Sequence, residues 1–118
     1  MAIRWEYEDD GVLVFHVTGK LSFNELNSAQ LEAEKVMLQG KIKVLAFAEN
    51  FSGWNDTDEW ADMSFMDRND DFIEKMAIVG DPQWKELTYA FTLKGLRKFP
   101  IEYFEEKHEE IARAWLTE

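Results

Sequence analysis

Two short apolar runs constrain this chain most. Ile42-Lys43-Val44-Leu45-Ala46-Phe47-Ala48 and Met76-Ala77-Ile78-Val79 are bounded by Gly or Asn, too short for helices, and too continuously apolar for strands with one wet face. Each reads as a strand covered on both sides, which requires helices above and below a mostly parallel sheet.

The flanking segments supply those helices. Ile3, Trp5 and Tyr7 alternate with charged residues, and Asp9-Asp10-Gly11 leads into Val12-Leu13-Val14-Phe15-His16-Val17-Thr18, so an antiparallel hairpin opens the chain and Gly19 ends its second strand. Ser22 and Glu25 have capping-box spacing; Leu26, Ala29, Ala33, Val36 and Met37 then share a helix face, and Gly40 is placed as its stop. Asp56 or Thr57 caps a second helix running to about Asp70. Asp81-Pro82 caps a third that runs toward Lys94 with Gly95 as its stop, and Pro100 precedes a strand over Ile101-Glu102-Tyr103-Phe104. A last helix over 105–116 is expected to bury Ile111, Ala112, Trp115 and Leu116. The order is ββαβαβαβα: an α/β sandwich, with a mixed five-stranded sheet, an N-terminal hairpin and four helices, in one domain over 1–118.

Composition narrows the function. The net charge of −11 repels nucleic-acid phosphates, so no nucleic-acid partner is expected. The absence of Cys removes disulfides, thiolate metal sites and thiol nucleophiles, and fits a cytoplasmic protein. The N-terminus reaches Glu6 and Glu8 before any signal-peptide core can form, and no apolar run approaches the roughly 20 residues of a membrane span. What stands out is an acidic chain that carries five Trp, nine Phe and five Met.

Gly19-Lys20-Leu21-Ser22, Gly40-Lys41-Ile42-Lys43-Val44-Leu45, Phe51-Ser52-Gly53-Trp54, Ile78-Val79-Gly80-Asp81-Pro82-Gln83-Trp84, Ile101-Glu102-Tyr103-Phe104 and Ala114-Trp115-Leu116 occur in an order and spacing that resemble the small bacterial SpoIIAA-like family. The resemblance implies a fold like the STAS domains of anti-anti-sigma factors, with architectural similarity to lipid-carrying CRAL-TRIO domains, and implies no established reaction. Anti-anti-sigma factors carry a phosphorylated serine in an Asp-Ser-Ser-Gly motif after the third strand. The corresponding stretch here is Trp54-Asn55-Asp56-Thr57-Asp58-Glu59, where Thr57 is the one hydroxyl and its acidic neighbours oppose a phosphate.

Candidate chemistry is sparse. His16 and His108 lie apart, without the further ligands of a zinc site or the positioned nucleophile of a triad. Asp56, Asp58, Asp62, Asp67, Asp70 and Asp71 lack EF-hand spacing and read as solvated caps and faces. No catalytic residue, metal or cofactor is therefore expected. The second and third helices carry more apolar surface than one buried stripe needs. Trp60 and Met63 share one side of the second and Phe65 lies on another; on the third, Trp84, Leu87 and Phe91 form the core face, with Tyr89 and Leu93 opposite. Either the extra surface packs against neighbouring loops, or it walls a pocket for a lipophilic small molecule, with Trp54 beside it.

Over residues 85–98, Lys85, Lys94, Arg97 and Lys98 face the single acid Glu86. Lys94, Arg97 and Lys98 are interleaved with apolar residues, as in a segment resting at a lipid surface; the alternative is pairing with the protein's own excess acids. The expected function is a non-catalytic, cytoplasmic domain binding a lipophilic ligand, with transient peripheral membrane contact. A regulatory module with a protein partner, with Thr57 or Ser52 at its partner-facing end and Thr57 as the candidate phosphorylation site, is the second reading.

Overall fold

The apolar runs pair in chain order. The computed structural model describes residues 3–8, 11–37, 41–55 and 68–118. Strands β1 (Ile3–Glu8), β2 (Val12–Leu21), β3 (Ile42–Trp54), β4 (Ile73–Gly80) and β5 (Ile101–Glu105) form one sheet in the order β1-β2-β3-β4-β5. β1 and β2 are antiparallel and every other pair is parallel, the mixed sheet expected from a hairpin followed by crossovers. Three α-helices lie among the described residues: α1 (Phe23–Met37), α2 (Lys85–Thr92) and α3 (Glu109–Leu116).

Side-chain alternation sorts the core into two layers. Leu13, Phe15, Val44 and Ile78 face Ala29 and Ala33 of α1, while Val12, Val14, Leu45, Phe47, Ala77 and Val79 face Ala112 and Leu116 of α3. Ala33 and Ala112 are wholly buried, and such small side chains let each helix lie close to the sheet. Ser22 caps the start of α1: the Glu25 N–H donates to Ser22 Oγ at 3.1 Å, and the Ser22 hydroxyl donates to Glu25 Oε1 at 3.0 Å.

Several expected boundaries move. Gly19 does not end β2; it adopts φ +64° at a bulge, and pairing with β3 resumes through Leu21. β3 continues past Ala48 to Trp54, passing Asn50 at φ 52°. Gly95 is not the stop of α2. Leu93 takes the left-handed conformation instead, with its N–H bonded to the Ala90 carbonyl and that of Lys94 to the Tyr89 carbonyl, a Schellman ending on a non-glycine residue. Leu87 and Ile111 are each 55% exposed, and Thr88, not Leu87, is the buried residue of α2. Of the helix expected between Asp56 and Asp70, positions 56–67 fall outside the described residues; Arg68 and Asn69 are helical and lead into a turn at Asp70–Phe72. The Gly40 stop also falls outside.

Tyr103 locks β5 to the start of the α2 segment. Its hydroxyl donates to the Asp81 carbonyl at 2.7 Å and its backbone N–H donates to Tyr89 Oη at 3.0 Å, so Tyr89 caps an edge-strand donor. Burial, reinforced by the negative charge of Asp81, pushes the Tyr103 hydroxyl up to about 12. Because the folded protein holds this proton more tightly than the unfolded chain does, the associated stability is intact below about pH 10 and is lost as pH rises through 12. Ultraviolet titration should show a late tyrosine ionisation that Tyr103→Phe removes, and urea midpoints between pH 10 and 12 should fall more steeply for wild type than for Tyr103→Phe. Parallel curves would reject this assignment.

Candidate functional site

Among the described residues, the face of the sheet under α1 and α2 is incompletely filled. Val17, Ala46 and Met76 sit on inner strands yet are only half-buried, and above them lies an apolar cavity of about 390 Å³. Phe23 and Leu26 of α1 form one wall, while Phe91 and Leu93 form another; Phe15, Ala46 and Ile78 are part of the floor. Among the described lining residues, only Gln30, Thr88, Thr92 and Arg97 are polar. The volume lies within the roughly 300–1,000 Å³ range of small-molecule sites.

An aromatic cluster closes one side. Phe51, Trp54 and Trp84 meet edge to face with centroids 5.0, 5.3 and 6.1 Å apart, and Phe91 lies 5.1 Å from Trp54. Gly53 makes this possible: a Cβ there would stand 3.3 Å from Trp84 Cη2, and its φ of +103° disfavours any other residue. Trp84 enters α2 through a turn at Pro82–Trp84, started by Asp81 Oδ1 accepting the Gln83 N–H at 2.9 Å.

Trp54, Phe91 and Leu93 therefore line the cavity, and Trp84 stands behind Trp54. Tyr89 is turned to Tyr103 and β5 instead of outward. Trp60, Met63, Phe65 and Thr57 lie outside the described residues. Reasoning from helix faces missed the sheet floor and the α1 wall. Their signal is faint, residing in small or unbranched side chains at Ala46, Ala48 and Met76 on inward-facing strand positions.

The basic segment is occupied by the protein's own acids. Arg97 makes a two-pronged pair with Asp70, Nε to Oδ2 at 3.0 Å and Nη2 to Oδ1 at 2.7 Å, and its side chain is 7% exposed. Lys98 pairs with Asp71 at 2.6 Å, a contact that lowers the Asp71 carboxyl and raises the Lys98 ammonium. Lys94 donates to the Ile101 carbonyl, reaches Glu102 at 3.4 Å and lies over the Tyr89 ring. Pairing with internal acids matches the contacts of this segment, and Arg97 is among the residues that line the cavity.

The second anchor of this region is Glu34 on α1. It accepts from both Arg68 Nε and Nη2 and from the Asn69 amide, and the Arg68 hydrogen bond holds its carboxyl below the usual range. Asn69 is nearly buried, so this contact fixes the entry to β4 against α1. His16 stacks on Phe47 at 5.2 Å, with Nε2 3.5 Å from Glu6; His108 Nδ1 is 3.7 Å from Glu105. Among the described residues, no group of three acids or imidazoles converges as a metal site, and no helix is long and apolar enough to cross a membrane.

Comparison with solved structures gives a match to an uncharacterized protein of the DUF3478 family with a SpoIIAA-like fold from Shewanella loihica PV-4. It is 20% identical, with a TM-score of 0.68 over 98% of this chain and 92% of that one. A search of curated proteins finds no match. The SpoIIAA-like sequence profile matches residues 12–117, from the first buried strand through the last helix, and the chain belongs to the SpoIIAA-like family.

Proposed function

We propose that this domain binds a lipophilic small molecule without transforming it, in the cavity between α1, α2 and the sheet. The observation that carries the reading is the cavity itself: about 390 Å³ of apolar-lined space over half-buried inner strands. Leu93 adds support. A leucine held at φ 59° costs roughly 1–2 kcal/mol where glycine would not, and that strained residue lines the cavity.

Native mass spectrometry of freshly purified protein, followed by lipid extraction and a panel of alkyl ligands, tests the proposal. Ala46→Phe should fill the floor, raise Tm and weaken ligand uptake by tenfold or more, on the order of one buried aromatic's worth of displaced contact. A wild type that purifies empty and ignores the whole panel would reject it, as would an Ala46→Phe protein that binds unchanged.

A further inference from the structure

The cavity has one charged lining residue among those described, and its state defines the headgroup that the cavity would accept. Arg97 carries five N–H donors. Nε and one Nη2 hydrogen go to Asp70, and one Nη1 hydrogen goes to the Thr92 carbonyl at 3.3 Å. One N–H on each Nη is left for another acceptor. The positive charge, by contrast, is already matched by Asp70, whose side chain is 14% exposed and held in the same two-pronged contact. Of the other polar lining residues, the Gln30 amide and the Thr88 and Thr92 hydroxyls are neutral, and the Thr92 hydroxyl is turned back to the Thr88 carbonyl at 2.8 Å.

On the reading that the cavity holds a lipophile, we infer that its ligand is a neutral amphiphile ending in an acceptor oxygen, such as a long-chain alcohol, ester or ketone, and not a fatty acid. A carboxylate would reach the spare N–H donors only by sharing the guanidinium with Asp70, placing two like charges within a few ångströms in a poorly solvated wall. An alkylammonium would meet the Arg97 guanidinium in front of Asp70. A neutral oxygen accepts the N–H bonds without either conflict.

Displacement of Nile red by dodecanol, methyl dodecanoate, dodecanoate and dodecyltrimethylammonium at pH 8 tests this. Dodecanol and the methyl ester should compete at about tenfold lower concentration than either ion, the size of one hydrogen bond to a charged donor. Asp70→Asn leaves the guanidinium charge unmatched and should invert the order, making dodecanoate the best competitor. The double variant Arg97→Met/Asp70→Leu should still take up Nile red but lose roughly tenfold in dodecanol affinity. Dodecanoate binding wild type as well as dodecanol does, or a folded Asp70→Asn protein that still disfavours dodecanoate, overturns the inference while leaving the cavity reading intact. Failure of every compound, Nile red included, overturns the cavity reading and this one with it. Should Asp70→Asn not fold, the wild-type order and the double variant still decide.

Discussion

Arg97→Met is expected to destabilise the domain by about 3 kcal/mol, a fall in Tm of more than about 10 °C. The substitution keeps much of the stem that packs at the cavity wall and removes the guanidinium stacked 4.7 Å from the centre of the buried Phe99 ring. It leaves the Asp70 carboxylate, largely withdrawn from water, without its two donors, and the Thr92 carbonyl without its side-chain partner. Lys98 lies close enough to feel Asp70, which places the loss toward the lower end of the range for a broken buried pair. Adding Asp70→Leu should restore most of the stability, because the penalty comes from the stranded charge more than from the lost attraction. Urea denaturation of the two single variants and the double variant measures the coupling. Additive effects would mean that the pair is structurally idle.

That pair also shows where sequence reading stops. Asp70 and Arg97 are 27 residues apart, one in the turn before β4 and the other after α2, and both read as surface charges because nothing local reveals that the sheet brings them together. The two buried runs, the hairpin and the Ser22 cap were legible because each is specified by local chemistry: continuous apolarity, alternation, or a Ser-x-x-Glu spacing. Helix phase was legible only in part. α2 and α3 both begin with a three-residue tight turn, Pro82–Trp84 and Glu106–His108, and three residues per turn in place of 3.6 rotates every later position. Leu87 and Ile111, expected to face inward, are exposed, while Thr88 is buried and Ala112 is buried as expected. The candidate site divides the same way. Trp54, Phe91 and Leu93 announced themselves as surplus apolar side chains, but the floor at Ala46 and Met76 is a property of how far the helices stand off the sheet, and no periodicity encodes that distance.

Gly80→Ala should cost the domain at least about 3 kcal/mol, more than a methyl group costs at most strand positions. Gly80 ends β4, between Ala48 of β3 and Glu105 of β5, and its backbone needs no special conformation. The constraint is space. A Cβ there would lie 2.6 Å from Tyr103 Oη, 3.2 Å from Ala48 Cβ and 3.3 Å from the Ala48 carbonyl oxygen. The tyrosine cannot simply swing aside, because its hydroxyl is bonded to the Asp81 carbonyl and its ring is buried against Tyr89. Moving it would break the contact that fixes the α2 segment over the sheet, and with it the wall that carries Phe91 and Leu93. Tyr103→Phe removes the oxygen that the new methyl would strike, so Gly80→Ala should cost clearly less in that background, by about 1 kcal/mol or more, with the Ala48 contacts accounting for what remains. A double-mutant cycle by urea denaturation reads this directly. If the two substitutions are additive, the collision with Tyr103 does not explain why glycine stands at this position, and the crowding against Ala48 must carry the whole effect.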